Sequence, residues 1–155
     1  MTDAAITVRP AAEADLAAVL ALYAQPGMDD GRTLAIADAR RLWARFAAYP
    51  DYTLYVAERD GEIVGTFALL IMDNLGHLGA PSAIVEDVMV APAAQGHGIG
   101  QGMMEFARQK GLEKRCYKLV LSSNAKRERA HRFYEQLGYE RYGYCFRLDL
   151  ERAAP

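Results

Sequence analysis

The stretch that most constrains this chain runs from residue 86 to residue 104, EDVMVAPAAQGHGIGQGMM. A β-branched run at residues 88–90 ends before Pro92, a glycine-rich turn follows, and a helical pattern begins at once. The first turn of a helix carries unpaired N–H groups and a partial positive charge of about half a unit. Because glycines leave those N–H groups accessible, the stretch predicts a phosphate site and, through it, a nucleotide cofactor.

A plain flexible loop is the alternative interpretation of GHGIG, because glycine content alone is weak evidence. The turn is not a Walker loop, since no Gly-Lys-Ser/Thr follows, and its G-x-G-x-G spacing makes a poor dinucleotide fingerprint. What remains is Gln-x-x-Gly-x-Gly after a strand. This pattern resembles the acetyl-CoA pyrophosphate motif of the GNAT superfamily of N-acetyltransferases.

A second block, CYKLVLSSNAKRERAHRFYEQLGY at residues 116–139, supports the resemblance. A short buried strand is predicted at residues 117–121, and Ser122-Ser123-Asn124 offers helix N-cap chemistry. One helical face then follows, and Gly138 is a suitable helix end; the face consists of Ala130, Phe133, Tyr134 and Leu137. The run from Phe133 to Tyr139 resembles the F-Y-x-x-x-G-F/Y signature of the same superfamily. The resemblance covers roughly residues 5 to 150.

The pattern of apolar residues predicts a mixed α/β chain in the order β-α-α-β-β-β-α-β-α-β, with a further final strand as an option. Asp60-Gly61 predicts a hairpin, Thr33 a helix cap, and Glu140 to Leu150 one or two last strands. The resemblance implies the GNAT fold, with a mixed central sheet of six to seven strands flanked by four helices. We expect a single domain over residues 1–155.

Composition narrows the class of protein further. No apolar run approaches the roughly 20 residues that cross a bilayer, and Met1-Thr2-Asp3 lacks the features of a signal peptide. Cys116 and Cys145 have no metal-ligand spacing, so two buried free thiols in a reducing compartment are expected. These observations predict a cytoplasmic protein without a metal site or a membrane anchor.

Charge is unevenly distributed along the chain. Residues 1–100 contain 6 Lys/Arg and 13 Asp/Glu, whereas residues 101–155 contain 12 Lys/Arg and 7 Asp/Glu. A polyanionic cofactor suits the basic part and a cationic amine suits the acidic part. The alternative is that the two kinds of charge are mixed evenly over the folded surface. No recognisable nucleic-acid motif accompanies the basic residues, so nucleic-acid binding is not predicted.

The resemblance assigns the cofactor contacts. The pyrophosphate loop matches Gln95, Gly96, His97, Gly98, Ile99 and Gly100. Gln95 stands where the family often has Arg, which weakens one phosphate contact, and His97 is expected to offer its N–H alone. Pantetheine pairs with the preceding strand at Val88, Met89 and Val90, where a backbone N–H serves as oxyanion donor.

Two further cofactor contacts carry alternatives. Asn124 matches a family position that contacts pantetheine, or is a plain helix cap. Arg129, with Lys126 and Arg127, meets coenzyme phosphates or simply forms a solvated helix start.

The catalytic candidates follow from the chemistry of acetyl transfer. Tyr134 occupies the position where the family places a general acid near the coenzyme sulfur, although a core aromatic is the alternative. A protonated amine must lose its proton, and Glu86 or Asp87, at the start of the central strand, is the candidate base, with a water chain as the third option. Alternation along the strand predicts that the two carboxylates face opposite sides, so at most one reaches the substrate directly.

Local similarities suggest an acceptor. Residues 86–90 and 116–118 resemble segments of glucosamine-6-phosphate N-acetyltransferases, and residues 126–134 resemble aminoalkylphosphonate N-acetyltransferases. The expected function is direct acetyl transfer from acetyl-CoA to a primary amine of a small molecule. Protein N-terminal or lysine acetylation and a non-catalytic acyl-CoA sensor remain alternatives, and the resemblance also allows a homodimer.

Overall fold

The computed structural model describes residues 5–150, which form five β-strands and four α-helices. The strands are β1 (Thr7–Pro10), β2 (Tyr52–Arg59), β3 (Glu62–Met72), β4 (Ser82–Val90) and β5 (Lys118–Leu121). The helices are α1 (Leu16–Tyr23), α2 (Ile36–Phe46), α3 (Ile99–Glu113) and α4 (Glu128–Gln136), and short 3₁₀ turns lie at Glu13–Asp15, His77–Gly79 and Pro92–Ala94. The predicted order of strands and helices is confirmed up to α4. The chain divides into two compact units, Met1–Leu121 and Ser122–Pro155.

The first unit contains one mixed sheet in the order β1-β2-β3-β4-β5. The first three pairings are antiparallel, and β4 pairs with β5 in parallel over Ser82–Val85 and Lys118–Leu121. The prediction of six to seven strands is therefore wrong for the described residues, which supply five. The mixed sheet itself, with four α-helices in the chain, is confirmed.

The sheet buries side chains on both faces, as alternation along its central strands requires. On one face a cluster forms around Val19, Leu54, Val56 and Ala68, with aromatic side chains of α1, α2 and β2 packed against it. On the other face the Tyr55 ring stacks on Phe67 at 5.2 Å between centroids and meets Phe106 of α3 edge-on at 5.1 Å. We call these the α1–α2 face and the α3 face.

One turn and one close approach between elements show why particular residues stand where they do. Asp60 and Gly61 both have positive φ, 54° and 80°, as the tight turn between β2 and β3 requires, so the hairpin prediction is confirmed. Gly65 lies where α3 approaches β3 closely, since a Cβ there would stand 2.8 Å from the sulfur of Met103. The cap prediction at Thr33 is wrong, because α2 begins after Ala35 without a side-chain cap.

The second unit contains α4, ended at Gly138, whose φ is 87°. The predicted strands over Glu140 to Leu150 are wrong, because these residues have no regular secondary structure. Their alternating apolar side chains, at positions 142, 144, 146, 148 and 150, are 81–93% exposed. A strand needs a hydrogen-bonded neighbour as well as an alternating pattern, and no described strand pairs with this segment. Cys145 is consequently exposed, which corrects the expectation of two buried thiols.

No helix within residues 5–150 combines the length and the apolar character that crossing a membrane requires.

Candidate active site

A β-bulge interrupts β4 after Glu86, just beyond the residues that pair with β5. Ala68 of β3 is opposite Glu86, and Thr66 is opposite Met89, so one residue of β3 faces two of β4. Asp87 has φ of 53°, in the left-handed region that few residues other than glycine, asparagine and aspartate adopt. Bulges of this kind re-aim side chains and are frequent beside active sites.

Glu86 and Asp87 are adjacent at the bulge, and the charges of both act on the same neighbouring group. Glu86 is opposite Ala68, whose side chain belongs to the core of the α1–α2 face. Burial raises the pKa of Tyr52, which packs against that same core, and the charges of Asp87 and Glu86 raise it further. Because the bulge adds a residue to β4 between Glu86 and Met89, simple alternation along the strand does not decide how the two carboxylates are directed.

Both carboxyl groups are held in surroundings that favour their protonated form. Burial raises the pKa of Glu86, and the neighbouring charge of Asp87 raises it further. Burial also raises the pKa of Asp87, and the charge of Asp29 adds to the effect. A carboxylate with a raised pKa is a better proton acceptor near neutral pH than an ordinary one. The pair therefore has the electrostatic character of a general-base site.

The surroundings of this pair include residues that the sequence interpretation did not assign to a site. Burial, followed by the charge of Asp87, raises the pKa of Tyr23 above its usual range. The loop after α1 carries Asp29, whose N–H donates to the Tyr23 carbonyl at 3.0 Å. Tyr23 also packs against the core of the α1–α2 face. No local sequence pattern marks it, since the bulge that brings it near Asp87 is a property of the sheet.

The glycine-rich turn leads directly into α3. Gly96 and Gly98 have φ of 79° and 78°, and Gly98 is the N-cap residue of this 15-residue helix. No side chain caps the first turn and no acidic residue lies in it. The turn is exposed, and the His97 ring nitrogen Nδ1 lies 2.9 Å from the Gln95 carbonyl oxygen. Open N–H groups at the start of a long helix suit phosphate oxygens.

The second half of β4, next to the glycine-rich turn, has one edge to which an extended ligand can hydrogen-bond. β4 pairs with β5 only over Ser82–Val85, so among the described strands Glu86–Val90 has a partner on one side alone, β3. Val88, Met89 and Val90 lie in this half, next to the turn. The Val90 carbonyl accepts hydrogen bonds from the Gln25 side chain at 3.2 Å and the Gln95 side chain at 3.3 Å.

The second unit holds the remaining predicted residues. Burial raises the pKa of Tyr134, while the charge of Arg127 lowers it to a smaller extent, so Tyr134 is protonated near neutral pH. Its ring meets the rings of Phe133 and Tyr139 at 5.1 and 5.7 Å between centroids. Tyr134 thus has both properties considered for it, an aromatic packing role and an available proton.

Asn124 and Arg129 lie before and within the first turns of α4. The Asn124 side-chain oxygen accepts the Lys126 N–H at 2.9 Å, and its carbonyl oxygen lies 2.9 Å from Nε2 of His131. Asn124 therefore organises a turn before the helix and is not the helix cap, which is Arg127. Arg129 is exposed on α4.

Cys116 is poorly suited to act as a nucleophile. Burial raises the pKa of the Cys116 thiol, and this disfavours the nucleophilic thiolate. The carboxylates of β4 thus remain the better-placed groups for proton transfer.

Comparison with known proteins supports a common origin. The model of the acetyltransferase (GNAT) family matches residues 16–139. A glucosamine 6-phosphate N-acetyltransferase of Trypanosoma brucei brucei is 31% identical over 159 residues, covering 97% of this chain and 100% of that protein. An aminoalkylphosphonate N-acetyltransferase of Salmonella typhimurium is 31% identical over 101 residues, which is 65% of each chain.

Solved structures agree with these relatives. A putative acetyltransferase from Agrobacterium tumefaciens superposes with a TM-score of 0.87 at 29% identity, covering 93% of this chain and 99% of that one.

Proposed function

The chain belongs to the acetyltransferase (GNAT) family and is an N-acetyltransferase, and from that premise we propose that it transfers acetyl groups from acetyl-CoA directly to a primary amine of a small molecule. The observation that carries the proposal is the bulge of β4. Two adjacent carboxyl groups with raised pKa, Glu86 and Asp87, lie at this bulge, on the strand that leads through the 3₁₀ turn to the glycine-rich loop. We also propose that residues 1–155 act as one catalytic domain.

The glycine-rich turn is the proposed site for the coenzyme pyrophosphate. N–H groups of Gln95–Gly100 would face the phosphate oxygens, and Gln95 offers an amide where a guanidinium would bind more strongly. In the second unit Arg129 is a proposed partner for coenzyme phosphates and Asn124 for pantetheine. When bound, acetyl-CoA supplies the activated acetyl group; the protein supplies position and proton transfer.

The open half of β4 is the proposed pantetheine contact. An extended amide chain can pair with a strand edge much as another strand does. One backbone N–H among Val88, Met89 and Val90 then donates to the thioester carbonyl and stabilises the negative charge that develops there.

Proton transfer is assigned to three side chains. At pH 7 a free amine of pKa about 10 is almost wholly protonated, and removing that proton costs about 4 kcal/mol. Glu86 is the proposed base, directly or through a water molecule, and Asp87 is the second candidate. Tyr134, which is protonated and close in basicity to a departing thiolate, is the proposed general acid.

Release of free thiol from acetyl-CoA in the presence of a panel of primary amines tests this proposal. We expect Tyr134→Phe to lower kcat on the order of 100-fold while CoA affinity changes less than about twofold, because only the transferable proton is lost. Tyr144→Phe, at a position 92% exposed in the same unit, is the matched control. Unchanged turnover in Tyr134→Phe would remove the general-acid assignment.

Binding of the coenzyme is tested separately by thermal unfolding. We expect CoA to raise the Tm of the protein, because a ligand that binds the folded state alone stabilises it. Gly98→Asp should abolish the rise, because it places a carboxylate where phosphate binds. Gly98→Asn is the control, since asparagine has similar size and tolerance of positive φ without the charge. A protein whose Tm ignores CoA would contradict the proposed donor.

A further inference from the structure

Four aromatic side chains line an open cleft on the first unit, beside α2 and the start of β2. Its volume is about 380 Å³, within the range of small-molecule sites. Trp43 and Phe46 come from α2, and Tyr49 and Tyr52 from the segment that follows it. Neighbouring ring centroids lie 5.0–5.8 Å apart. The remaining lining residues are Ala47, Pro50, Asp51 and Thr53.

The cleft is connected with the carboxylate pair through Tyr52. This ring lines the cleft and meets Phe46 edge-on at 5.0 Å, and it also lies within electrostatic range of Glu86 and Asp87. Trp43, Phe46 and Tyr52 all pack against the core of the α1–α2 face, which contains Ala68, the residue opposite Glu86. A molecule with its amine at the carboxylates therefore has an aromatic surface beside it.

The charges around the cleft are unsuited to a phosphate group. Among the described residues that line it none is Lys or Arg, and one, Asp51, is acidic. The cation that approaches is Lys114, which pairs with Asp51 at 2.9 Å. Of the three arginines of α2, Arg40 pairs with Glu13 and Arg41 with Asp38, and Arg45, in the last turn, does not line the cleft. The lining of the cleft thus offers no cation of its own to a phosphate or phosphonate, whereas an ammonium group would be attracted to Glu86 and Asp87.

We propose that this cleft holds the tail of the acceptor, and that the acceptor is an arylalkylamine, a primary amine whose tail is a flat apolar ring. The inference rests on the proposed acetyl-transfer function and names its substrate class. Aromatic rings pack edge-on or offset against other rings at the spacing found here, and each such pair adds affinity beyond the burial of area. The preference departs from the phosphorylated and phosphonylated substrates in the names of the relatives.

Initial rates of acetylation with four amines test the substrate class. The probes are 2-phenylethylamine, ethylamine, 1,5-diaminopentane and 2-aminoethylphosphonate. We expect kcat/KM for 2-phenylethylamine to exceed that for each of the others by about tenfold or more, since the ring is the group that the cleft accommodates. A preference for the aminophosphonate or the diamine would overturn the inference while leaving acetyl transfer intact. Failure of all amines would instead contradict the proposed function.

Variants of the cleft test where the ring binds. Tyr49 is 53% exposed, so Tyr49→Ala removes one wall with little effect on folding. We expect it to raise KM for 2-phenylethylamine about fivefold with kcat nearly unchanged, and to lower the preference over ethylamine by the same factor. Phe46→Leu, which keeps an apolar side chain, should act in the same direction.

Tyr117→Ala is the control for these variants, because Tyr117 stacks on His77 and does not line the cleft. It should leave the preference for 2-phenylethylamine over ethylamine as it is in the unaltered protein. An equal change of KM for both amines in Tyr49→Ala, or no change for either, would overturn the assignment of the cleft.

Discussion

The two halves of β4 differ in almost every respect although they are continuous in the chain. Ser82–Val85 pairs with β3 on one side and β5 on the other, and three of its four residues are buried. Glu86–Val90 has β3 alone as a described partner, contains the bulge, and exposes two carboxylates. The regular half holds the sheet together, and the irregular half carries the groups suited to chemistry. A strand can thus combine stability and reactivity by losing a partner and its alternation at one point.

Glu86→Gln is expected to give the largest effect on activity. The amide keeps the size of the side chain but cannot accept a proton at neutral pH, so kcat should fall on the order of 100-fold or more. Because Glu86 is exposed, the Tm should not fall. Glu62→Gln, an exposed carboxylate at the start of β3, serves as control under the same rate and melting measurements. Full activity in Glu86→Gln would transfer the base assignment to Asp87 or to water.

Val85→Ala should show the opposite profile, because Val85 is 1% exposed in the doubly paired half. Losing its two methyl groups should lower the free energy of unfolding by about 2 kcal/mol, from lost burial and the cavity left behind. Turnover below the Tm should be unchanged. Val88→Ala, at a half-buried position in the other half, should lower the free energy of unfolding less. Urea titrations of both variants measure the difference. Equal losses at both sites would show that the two halves do not differ in their contribution to stability.

Asp87→Asn should give the smallest effect on activity, and its effect on the pH dependence of activity distinguishes the two candidate bases. Asparagine tolerates the positive φ, so the bulge is kept while one charge is removed. The charge of Asp87 raises the pKa of Glu86, so its removal should shift the acidic limb of the kcat/KM profile to lower pH. If Asp87 is itself the base, activity should instead collapse at every pH.

The same variant also changes stability in a direction that can be worked out. The pKa of Asp87 is raised in the folded state, so the folded protein binds more protons than the unfolded chain between the ordinary and the raised pKa. Stability of the unaltered protein therefore falls as pH rises through that interval. Asp87→Asn should accordingly raise the Tm at neutral pH and have no such effect below a pH of about 4. A lower Tm at neutral pH would contradict the direction of the pKa shift.

Three features that depend on neighbouring residues alone were predicted correctly from the sequence. The Asp60-Gly61 hairpin, the helix after Gly98 and the glycine end of α4 each depend on a few neighbouring residues. The same holds for the strand and turn of the candidate site, whose residues lie in the elements expected for them.

Features that depend on distant partners could not be predicted in this way. The bulge at Asp87 follows from how β4 registers with β3, and the alternating pattern of residues 142–150 forms a strand only where another strand can pair with it. The aromatic cleft needs α2 and β2 to be placed side by side before its four rings become one surface. Sequence patterns therefore identified the strand and the turn of the candidate site but gave no sign of the aromatic cleft.

The carbonyl oxygen of Val90 joins two loops that would otherwise be independent. Gln25, in the loop after α1 that also carries Asp29, and Gln95, in the glycine-rich turn, both donate to it. Because a carbonyl oxygen has two lone pairs, it accepts both amides at once, and the last residue of β4 therefore anchors both loops to the strand that carries the two carboxylates.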